Sequence, residues 1–392
     1  MRTGRTLITV PYVARGGGVA HYYEAVRSHL GSEVEYLRIG APSDCQPRGR
    51  RLLGAVGGNL RLACALGRSG ADVVHVNPSL DWGSLLRDGL AVIVAKVMRR
   101  RVVVFFRGWP PEVERRLSGP VLAAFRAVFF RADALIVLYS GFRQSLKAWG
   151  YRGPVHVLTT VVADDSFAAI HSSAIRARCQ KAGPPRLLFM ARLVRDKGIY
   201  ETIDAYALAR DEIRELELII AGTGPEEAGI VQAAAQRGVP ASVFIGGVAG
   251  SRKLHEMLAS DIFILPTAFE GMPNAVLEAL ALGLTVIACP AGGLQDFFVD
   301  GVLGLVAPDA SPARLSDLIV KACKDANLRR ELGLRGHAFA KEHFTAAVSA
   351  RRLTAIYGAV RTSGTKPGAG VSEYVWYEEE IVSARLTMET AE

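Results

Sequence analysis

Short apolar runs alternate with longer amphipathic segments along most of the chain. The first half contains six runs rich in β-branched residues: Thr6–Val10, Glu33–Ile39, Asp72–Val76, Val102–Phe106, Ala134–Leu138 and Val155–Leu158. The pattern then restarts with six more: Arg186–Met190, Leu216–Ile220, Ser242–Ile245, Ile262–Leu265, Thr285–Ala288 and Gly304–Val306. Nearly continuous apolar strands separated by helical segments are typical of parallel sheets covered on both faces. The pattern therefore predicts an α/β protein of two doubly wound, Rossmann-like units in series.

Shifts in composition predict the borders of these units. The polar stretch 164–184 ends at two prolines and precedes a new strand, so it predicts a linker between a first domain at 1–163 and a second at 185–344. Residues 345–360 predict a C-terminal helix, and 361–392 indicate a linker and an acidic tail. The two units are expected to face each other across a cleft, because ligands bind beyond the carboxyl ends of parallel strands.

The charge of the chain is concentrated in the first predicted domain. The 392 residues carry a net +9, but residues 1–163 hold 23 Lys and Arg against 10 Asp and Glu, a net +13. Two basic stretches with interspersed apolar residues, 48–68 and 115–131, can lie on an anionic membrane surface or pack on the sheet. No aromatic and basic motif that reads nucleic acid occurs, so nucleic acid is not an expected partner.

Cysteine usage and apolar segments indicate the cellular setting. The five cysteines are scattered without a Cys-x-x-Cys pair, which predicts a reduced, cytoplasmic protein without a disulfide frame or zinc site. The longest charge-free run, 17 residues at 279–295, is interrupted by glycines and a proline, so no membrane-spanning helix is expected. Any membrane contact is therefore expected to be peripheral, on the inner face of the plasma membrane.

Two loops that follow predicted strands carry candidate phosphate-binding chemistry. The first, Arg15–Gly18, leads into a helix whose N-terminus favours an anion. It lacks the Gly-x-Gly-x-x-Gly spacing of dinucleotide-binding loops, and a tight strand-to-helix turn is the alternative interpretation. The second loop holds Arg192 at a strand end and Lys197 before a helix. A guanidinium fork and an ammonium suit a diphosphate, although a solvated charged loop would have the same composition.

A third loop, after the strand Ile262–Leu265, contains two carboxylates. Glu270 lies in a turn rich in Gly and Pro, and Glu278 lies in a helix that Asn274 is expected to cap. Free N–H groups from about Met272 to Val276 can point at a phosphate, and carboxylates accept hydrogen bonds from sugar hydroxyls. A favourable charge near a helix N-terminus would also explain Glu278, but it does not explain Glu270.

Together these elements resemble retaining glycosyltransferases of family 4, which have the GT-B fold of two facing Rossmann-like domains. The resemblance rests on the Glu-x7-Glu element in FEGMPNAVLEALALG, the strand end ARLVRDKG, the loop AGTGP and the segment GGLQDFFVDGVLGLVAP. It extends over about residues 1–360 and is most specific over 186–310. The first half matches more loosely, through the GGG loop, DVVHVNPS and ADALIVLYSGF.

The resemblance implies roles for individual residues. Arg192 and Lys197 would neutralise the donor diphosphate, which does the work of a metal, while Glu278 would bind the ribose and Glu270 the transferred sugar. The implied donor-binding residues are Gly17, Gly18, Arg192, Lys197, Val248, Glu270, Gly271, Met272, Pro273, Asn274, Ala275 and Glu278. The implied catalytic residues are Glu270, Arg192, Lys197 and Arg107. Metal-independent transfer is expected, with no cofactor besides a UDP- or GDP-sugar co-substrate.

One departure from the family pattern concerns the residue after the fourth predicted strand. The family usually has a His there, whereas this chain has Arg107. A guanidinium stays protonated and cannot act as a base, but it can hold a phosphate or polarise a sugar. His21 and His75 are other candidates, each with a structural role as the alternative. The base is therefore left unassigned. In the retaining mechanism that the resemblance implies, the leaving phosphate itself can take the acceptor proton.

The sequence therefore predicts a hexosyltransferase that moves a sugar, with retention, from a nucleoside-diphosphate-sugar to a saccharide acceptor. A polyprenyl-diphosphate-linked acceptor and a place in surface polysaccharide biosynthesis are expected from the charge distribution and the family resemblance. Two alternatives stay open. The same fold serves sugar-nucleotide epimerases, and the presence of Arg107 leaves open a catalytically silent nucleotide-sugar-binding protein.

Overall fold

A computed structural model of the protein describes residues 4–10, 18–39, 48–181, 183 and 185–362. Gly17, among the expected donor-binding residues, lies outside this range, as do the predicted acidic tail and most of the linker before it. The described chain divides into two compact units. The first unit contains the residues up to Val161 together with the segment from Ala346, and the second contains Val162–Thr345.

Each unit is built on one six-stranded parallel sheet. The first sheet consists of β1 (Thr6–Val10), β2 (Val34–Arg38), β3 (Val73–Val76), β4 (Arg101–Phe105), β5 (Ala134–Val137) and β6 (Val155–Val157), in the order β2-β1-β3-β4-β5-β6. The second consists of β7 (Arg186–Met190), β8 (Glu217–Ala221), β9 (Phe244–Gly246), β10 (Ile262–Leu265), β11 (Thr285–Ala288) and β12 (Leu305–Val306), in the order β12-β11-β10-β7-β8-β9. The prediction of two Rossmann-like α/β units is confirmed.

Helices connect the strands in both units. The first unit contains α1 (Gly18–Val26), α2 (Arg48–Ser69), α3 (Trp82–Val97), α4 (Pro111–Arg116), α5 (Gly119–Phe129) and α6 (Ser140–Ala148). The second contains α7 (Asp164–Ala168), α8 (Ser172–Gln180), α9 (Ile199–Ala209), α10 (Glu227–Gln236), α11 (Gly250–Leu258), α12 (Asn274–Ala281), α13 (Pro312–Lys324) and α14 (Ala326–His343), and α15 (Ala346–Thr362) follows. Within the described residues, none of these helices has the length and apolar character needed to cross a bilayer.

Burial of both sheet faces explains why the strands are continuous apolar runs. Every residue of β3, β5, β10 and β11 is buried. A parallel sheet places helices over both of its faces, so side chains that point to either side must be apolar. The pattern that predicted the strands is thus a direct consequence of this layering.

The stretch 164–184 is not the linker that its polar composition predicts. It contains α7 and α8, and α8 packs on α14 with Ile175 and Cys179 buried. The contact is close because two glycines lie under Ile175: a Cβ added at Gly283 would be 2.5 Å from its Cδ1 atom, and one at Gly333 would be 3.2 Å from its Cγ2 atom. Two buried positions in nine residues are too sparse a pattern to predict this helix from composition.

The last described helix, α15, belongs to the first unit although it follows the second in the chain. The hydroxyl of Ser349 on α15 shares a hydrogen bond with that of Tyr22 on α1, at 2.5 Å. Near its end, the Arg361 guanidinium forms an ion pair with Asp72, with an Nε–Oδ2 distance of 3.0 Å. The sequence pattern predicts a helix here, but its partners lie hundreds of residues away in the sequence.

Candidate functional site

The order of the second sheet identifies where its ligand site should lie. From β7 the chain continues to β8 and β9 on one side, whereas β10, β11 and β12 lie on the other side. In doubly wound sheets, ligands bind at such a switch point, in the crevice formed by loops at the carboxyl ends of the two adjacent strands. Here those loops are 191–198 after β7 and 266–273 after β10. They contain Arg192, Lys197 and Glu270, three of the residues expected to be functional.

Lys197 and Glu270 meet at this switch point. The Lys197 ammonium lies 2.6 Å from a Glu270 carboxylate oxygen, and it also donates to the main-chain carbonyl of Phe269 at 3.2 Å. Only 11% of the Lys197 side chain and 22% of the Glu270 side chain are exposed. An ammonium has three N–H donors, and two of those of Lys197 have acceptors within the described residues. The third is left for a ligand. Both side chains are thus held in place and mostly shielded from water. Such a charged pair can interact strongly with a charged ligand.

The main chain around Lys197 is held against the loop after β10. The Ala268 N–H donates to the carbonyl of Asp196 at 2.9 Å, and the Thr267 hydroxyl donates to the same carbonyl at 3.1 Å. Gly198 then turns the chain into α9 with a φ of 73°, a left-handed conformation that glycine adopts at little cost. A Cβ at this position would lie 2.3 Å from the Pro266 carbonyl oxygen, so the two loops approach through glycine.

Glu270 is held from the other side by the loop that follows β11. Gly292 has a φ of 54°, and a Cβ added there would lie 1.7 Å from the Glu270 carbonyl oxygen. The next residue, Gly293, donates its N–H to the carbonyl of Gly271 at 2.9 Å, and a Cβ at Gly293 would collide with buried Met272. Loops after β7, β10 and β11 therefore interlock through their main chains and leave the Glu270 carboxylate facing Lys197.

Arg192 is exposed, and no side chain or carbonyl among the described residues accepts a hydrogen bond from its guanidinium. Its main chain is nevertheless fixed, because Ala191 donates to the carbonyl of Ala221 at 3.2 Å and Leu193 donates to that of Thr223 at 3.0 Å. Gly224 permits this approach, since a Cβ there would lie 2.1 Å from the Leu193 carbonyl oxygen. The guanidinium is thus available to an anion from a rigid strand end.

Helix α12 begins differently from the expectation. Asn274 is its first helical residue and Pro273 is the N-cap, without a side-chain hydrogen bond, so the expected capping role of Asn274 is wrong. A proline at the cap leaves no side-chain acceptor, and Val276 donates instead to the Pro273 carbonyl at 3.0 Å. The N–H groups of Met272, Asn274 and Ala275 have no acceptor within the described residues, and Pro273 has no N–H, so three of the expected donors remain suited to an anion.

Glu278 on α12 has a partner that the sequence did not indicate. The Lys253 ammonium on α11 lies 2.6 Å from a Glu278 carboxylate oxygen, and 18% of the Glu278 side chain is exposed. Val248 lies between β9 and α11, and β9 is joined to the AGTGP loop by the hydrogen bond from the Gly222 N–H to the Gly246 carbonyl, at 2.9 Å. Lys253 carries no motif signal, because its contact spans 25 residues and depends on how α11 packs.

In the first unit, Arg107 follows β4 and lies among aromatic rings. Its guanidinium carbon is 3.9 Å from the centre of the Tyr22 ring and 4.3 Å from that of Phe105. Burial lowers the pKa of Arg107, whereas the neighbouring Tyr22 and Tyr23 favour its charged form. Its Nη1 atom is buried and has no hydrogen-bond partner among the described residues. Gly18, the other expected residue of this unit that is described, is the exposed first residue of α1.

His75 on β3 is fully buried and both of its ring nitrogens are engaged. Nδ1 lies 2.6 Å from the Tyr357 hydroxyl and Nε2 lies 3.2 Å from that of Tyr23, which donates to Asn77 at 2.9 Å. The pattern fits a neutral ring that donates from Nε2 and accepts at Nδ1. Burial, with a smaller contribution from the Arg107 charge, lowers the pKa of His75 to about 3. These contacts favour the structural alternative for His75 over a catalytic base. The other candidate, His21, is exposed on α1 beside Glu24.

The buried histidine predicts a pH dependence of stability. The pKa of His75 is about 3 in the folded protein against 6.5 for an ordinary histidine, so below about pH 6.5 only the unfolded chain takes up the proton. The contribution of His75 to the free energy of unfolding is therefore fully present above about pH 6.5 and is lost as the pH falls below it. Between about pH 7.5 and about pH 5 we expect the free energy of unfolding to decrease by roughly 2 kcal/mol through this group. Urea unfolding of His75→Asn should show a flatter pH dependence, and exposed His21→Asn is the control. Equal slopes for wild type and His75→Asn would contradict the prediction.

Within the described residues, no group of three or more His, Cys, Asp and Glu side chains converges as metal ligands would. The arrangement in the second unit is instead one of cations and carboxylates at the carboxyl edge of a parallel sheet. Such a site can neutralise an anionic ligand and accept hydrogen bonds from its hydroxyl groups.

Comparison with known proteins supports this picture. Residues 173–338, which form most of the second unit but less than half of the chain, match the family Glycosyl transferases group 1. The chain is 32% identical over 287 residues to the Vi polysaccharide biosynthesis protein VipC/TviE of Salmonella typhi, covering 68% of this chain and 49% of that protein. It is 22% identical over 255 residues to the alpha-D-kanosaminyltransferase of Streptomyces kanamyceticus, covering 63% of this chain and 66% of that protein. The chain therefore spans about half to two thirds of the length of these relatives.

The fold is shared with solved structures. The Anabaena protein HepE in complex with UDP superposes with a TM-score of 0.70 and 17% sequence identity, covering 91% of this chain and 100% of that one. At this identity the likeness shows the fold, so the two parallel-sheet units have the architecture of GT-B proteins. The resemblance to glycosyltransferases that the motifs indicated is supported over the second unit.

Proposed function

We propose that this protein is a retaining glycosyltransferase of group 1, a hexosyltransferase that takes its sugar from a UDP- or GDP-sugar. The observation that supports this best is the Lys197–Glu270 pair at the switch point of the second sheet, with exposed Arg192 at the end of the adjacent strand. A diphosphate needs cations and a sugar needs hydrogen-bond acceptors, and this edge of the sheet offers both within two neighbouring loops.

In this proposal each group acts on a different part of the donor. Arg192 and the remaining N–H of Lys197 bind the diphosphate, together with the N–H groups of Asn274 and Ala275. Glu270 accepts hydrogen bonds from the transferred sugar, and Lys197 keeps its carboxylate in place. Glu278, held by Lys253, accepts from the ribose hydroxyls, and the main chain near Val248 contacts the base. That Gly17 and Gly18 also contact the diphosphate, as the family resemblance implies, stays a prediction.

The transfer itself replaces one bond at the anomeric carbon by another. The bond from this carbon to the diphosphate oxygen breaks, the bond to the acceptor oxygen forms on the same face, and the acceptor proton moves to the leaving phosphate. The cations stabilise the charge that develops on the leaving diphosphate. Charges that are already in position in this way lower the activation free energy of the transfer. Arg107 holds a phosphate or polarises the sugar rather than acting as a base, because it stays protonated.

The acceptor is proposed to be a saccharide linked to a polyprenyl diphosphate, and the pathway to be surface polysaccharide assembly at the inner face of the plasma membrane. Two observations support this part. One relative is a protein of Vi polysaccharide biosynthesis, and the first 163 residues carry a net charge of +13. A strongly basic unit favours anionic acceptors and surfaces.

The first test is a thermal-shift screen of UDP-, GDP- and ADP-sugars and of the free nucleotides. A ligand at about 100 times its dissociation constant stabilises the folded state by roughly 2.7 kcal/mol, so one nucleotide series should raise the melting temperature and the others should not. NMR of the incubated donor then separates the alternatives. Hydrolysis or transfer with the anomeric configuration kept supports a retaining transferase, an epimerised donor indicates an epimerase, and binding without any turnover indicates a silent binding protein.

A further inference from the structure

The exposed large apolar side chains of the described residues are concentrated on one part of the first unit. Seven of eight lie on three helices: Val56 and Leu60 on α2, Trp82, Leu86, Ile93 and Val97 on α3, and Val121 on α5. The eighth, Leu208, lies on α9 of the second unit. Single exposed apolar residues are ordinary, whereas a contiguous group marks an interaction surface. We call this surface the α2–α3–α5 face.

The three helices are neighbours on the same side of the first sheet. The chain moves from β2 past β1 to β3, then to β4 and β5, always in one direction along the sheet. Right-handed crossovers in one direction place α2, α3 and α5 side by side on one face of the sheet, whereas the step from β1 to β2 in the opposite direction places α1 on the other. Packing agrees, because α3 contacts both α2 and α5, while α15 packs on α1.

Helix α3 has an outer side without charge. Its exposed apolar residues recur at spacings of four, seven and four, which places them on a stripe about 60° wide and roughly 22 Å long. The only other exposed residue of the helix is Gly83. A surface helix ordinarily carries polar residues on this side. The outer side of α3 is therefore built to contact something other than water.

The charged residues of α3 turn away from this stripe. Arg87 pairs with buried Asp88, with an Nη2–Oδ2 distance of 2.6 Å. Lys96 pairs with Asp133, which also accepts from Arg101 at 3.0 Å. The three charged residues of α3, Arg87, Asp88 and Lys96, are thus all paired within the unit, so the apolar stripe is not a by-product of a helix that lacks charged residues.

Exposed cations lie on the helices of this face and in the segments next to them. Between residues 54 and 131, seven arginines are exposed against two exposed carboxylates, Asp81 and Glu112. Arg61 and Arg68 lie on α2, Arg99 lies two residues after the end of α3, and Arg126 lies on α5. Apolar side chains flanked by cations are the composition of interfacial surfaces that insert into the acyl boundary and attract anionic headgroups.

We propose that the α2–α3–α5 face docks the protein on an anionic lipid bilayer, with the α3 stripe inserted between the headgroups. A second copy of the chain fits this face less well, because two units of net charge +13 would be brought together. The assignment differs from the sequence interpretation, in which the apolar residues of both basic stretches contributed. Leu62, Leu66, Phe125 and Phe129 are buried within the unit, and α3, which carried no membrane signal in the sequence, supplies most of the surface.

The test compares two variants for binding to vesicles of phosphatidylcholine with about 30% phosphatidylglycerol. The double variant Leu86→Gln/Val97→Gln removes the two most exposed apolar side chains of the stripe (56% and 77%), and Leu208→Gln removes a similarly exposed leucine (48%) from the second unit. We expect the double variant to bind at least about tenfold more weakly in flotation assays, whereas the control binds like wild type. All three proteins should keep the same melting temperature, because the replaced side chains are exposed.

A second readout locates the contact directly. Of the four tryptophans, Trp82 is 46% exposed on the stripe, Trp109 is buried, Trp149 is half-buried and Trp376 lies outside the described residues. The measurement therefore uses a Trp149→Phe/Trp376→Phe background, in which lipids brominated on the acyl chains should quench the fluorescence through Trp82. Trp82→Phe should lose most of that quenching and keep its vesicle binding. Wild-type binding should also weaken between about 50 mM and about 500 mM salt, since the headgroup attraction is screened.

Three outcomes would overturn the proposal: no binding of wild type to the anionic vesicles, equal binding of the double variant, or quenching that persists in Trp82→Phe. A dimer that forms in sedimentation experiments without lipid and is lost in the double variant would identify a second copy as the occupant. The inference extends the membrane location proposed above but does not depend on the donor site. Nucleotide stabilisation of the double variant, measured in parallel, separates a wrong surface from a wrong function.

Discussion

Replacing Lys197 with alanine should lower kcat/KM for the nucleotide-sugar donor by about a hundredfold or more. The side chain is one of two cations proposed at the diphosphate, and removal of one preorganised donor at a developing anion costs roughly 10²–10³ in rate. It also holds Glu270, at 2.6 Å, so the loss affects both the leaving group and the contact to the sugar. The effect should appear in kcat as well as in donor binding, because the charge on the diphosphate is larger in the transition state.

The matched control is Arg195→Ala. Arg195 lies in the same turn, is exposed, and stacks over the Tyr200 ring at 5.2 Å rather than facing Glu270. We expect this variant to keep nearly full activity. Because Lys197→Ala leaves the Glu270 carboxylate half-buried without its cation, the double variant Lys197→Ala/Glu270→Gln should recover stability but not activity. An active enzyme that is indifferent to Lys197→Ala would refute the proposed site.

Replacing Gly292 with alanine should destabilise the second unit by about 3 kcal/mol or more. A left-handed φ costs an alanine roughly 1–2 kcal/mol, and forcing atoms into a packed region adds about 1–3 kcal/mol. The added Cβ would lie 1.7 Å from the Glu270 carbonyl oxygen and 2.6 Å from its carbon, so no side-chain rotation can relieve the clash. The loop that carries Glu270 must move, and nucleotide binding should weaken with it.

Gly250→Ala separates the cost of a left-handed φ from the cost of the steric clash. Gly250 has a φ of 53°, against 54° for Gly292, but a Cβ there would meet no atom within 4 Å. Urea unfolding should therefore show a loss of only about 1–2 kcal/mol for this variant. If the two variants lost equal free energies of unfolding, the close approach of Gly292 to Glu270 would not contribute to the destabilisation.

The distribution of apolar residues along the chain determined the two sheets. The observed bounds of β7 and β10 are those that the apolar runs predict, because a strand buried on both faces is apolar at nearly every position. The same pattern located the loops with Lys197 and Glu270, since these loops directly follow strands. That they bind a donor stays a prediction until the experiments above are done.

Contacts between segments that are far apart in the chain could not be predicted from the distribution of apolar residues. Lys197 meets Glu270 across 73 residues, and Lys253 meets Glu278 across 25, although no local pattern distinguishes Lys253 from other surface lysines. The segment 164–184 looked like a linker because α8 buries only two of its nine residues. His75 could be read as a base or as a structural residue until its two tyrosine partners, one of them 282 residues away, were known.

The sequence by itself thus determined the class of fold, the order of its elements and the loops that hold charged residues, because these follow from local periodicity and from residue chemistry. Only the tertiary structure decided which charges face each other, which apolar helix faces are covered and where α15 packs. Those features depend on strand order and on close approaches through residues such as Gly198 and Gly292, which bring together atoms far apart in the chain. The exposed stripe on α3 is the clearest case, since an apolar position looks the same in the sequence whether it faces the sheet or the solvent.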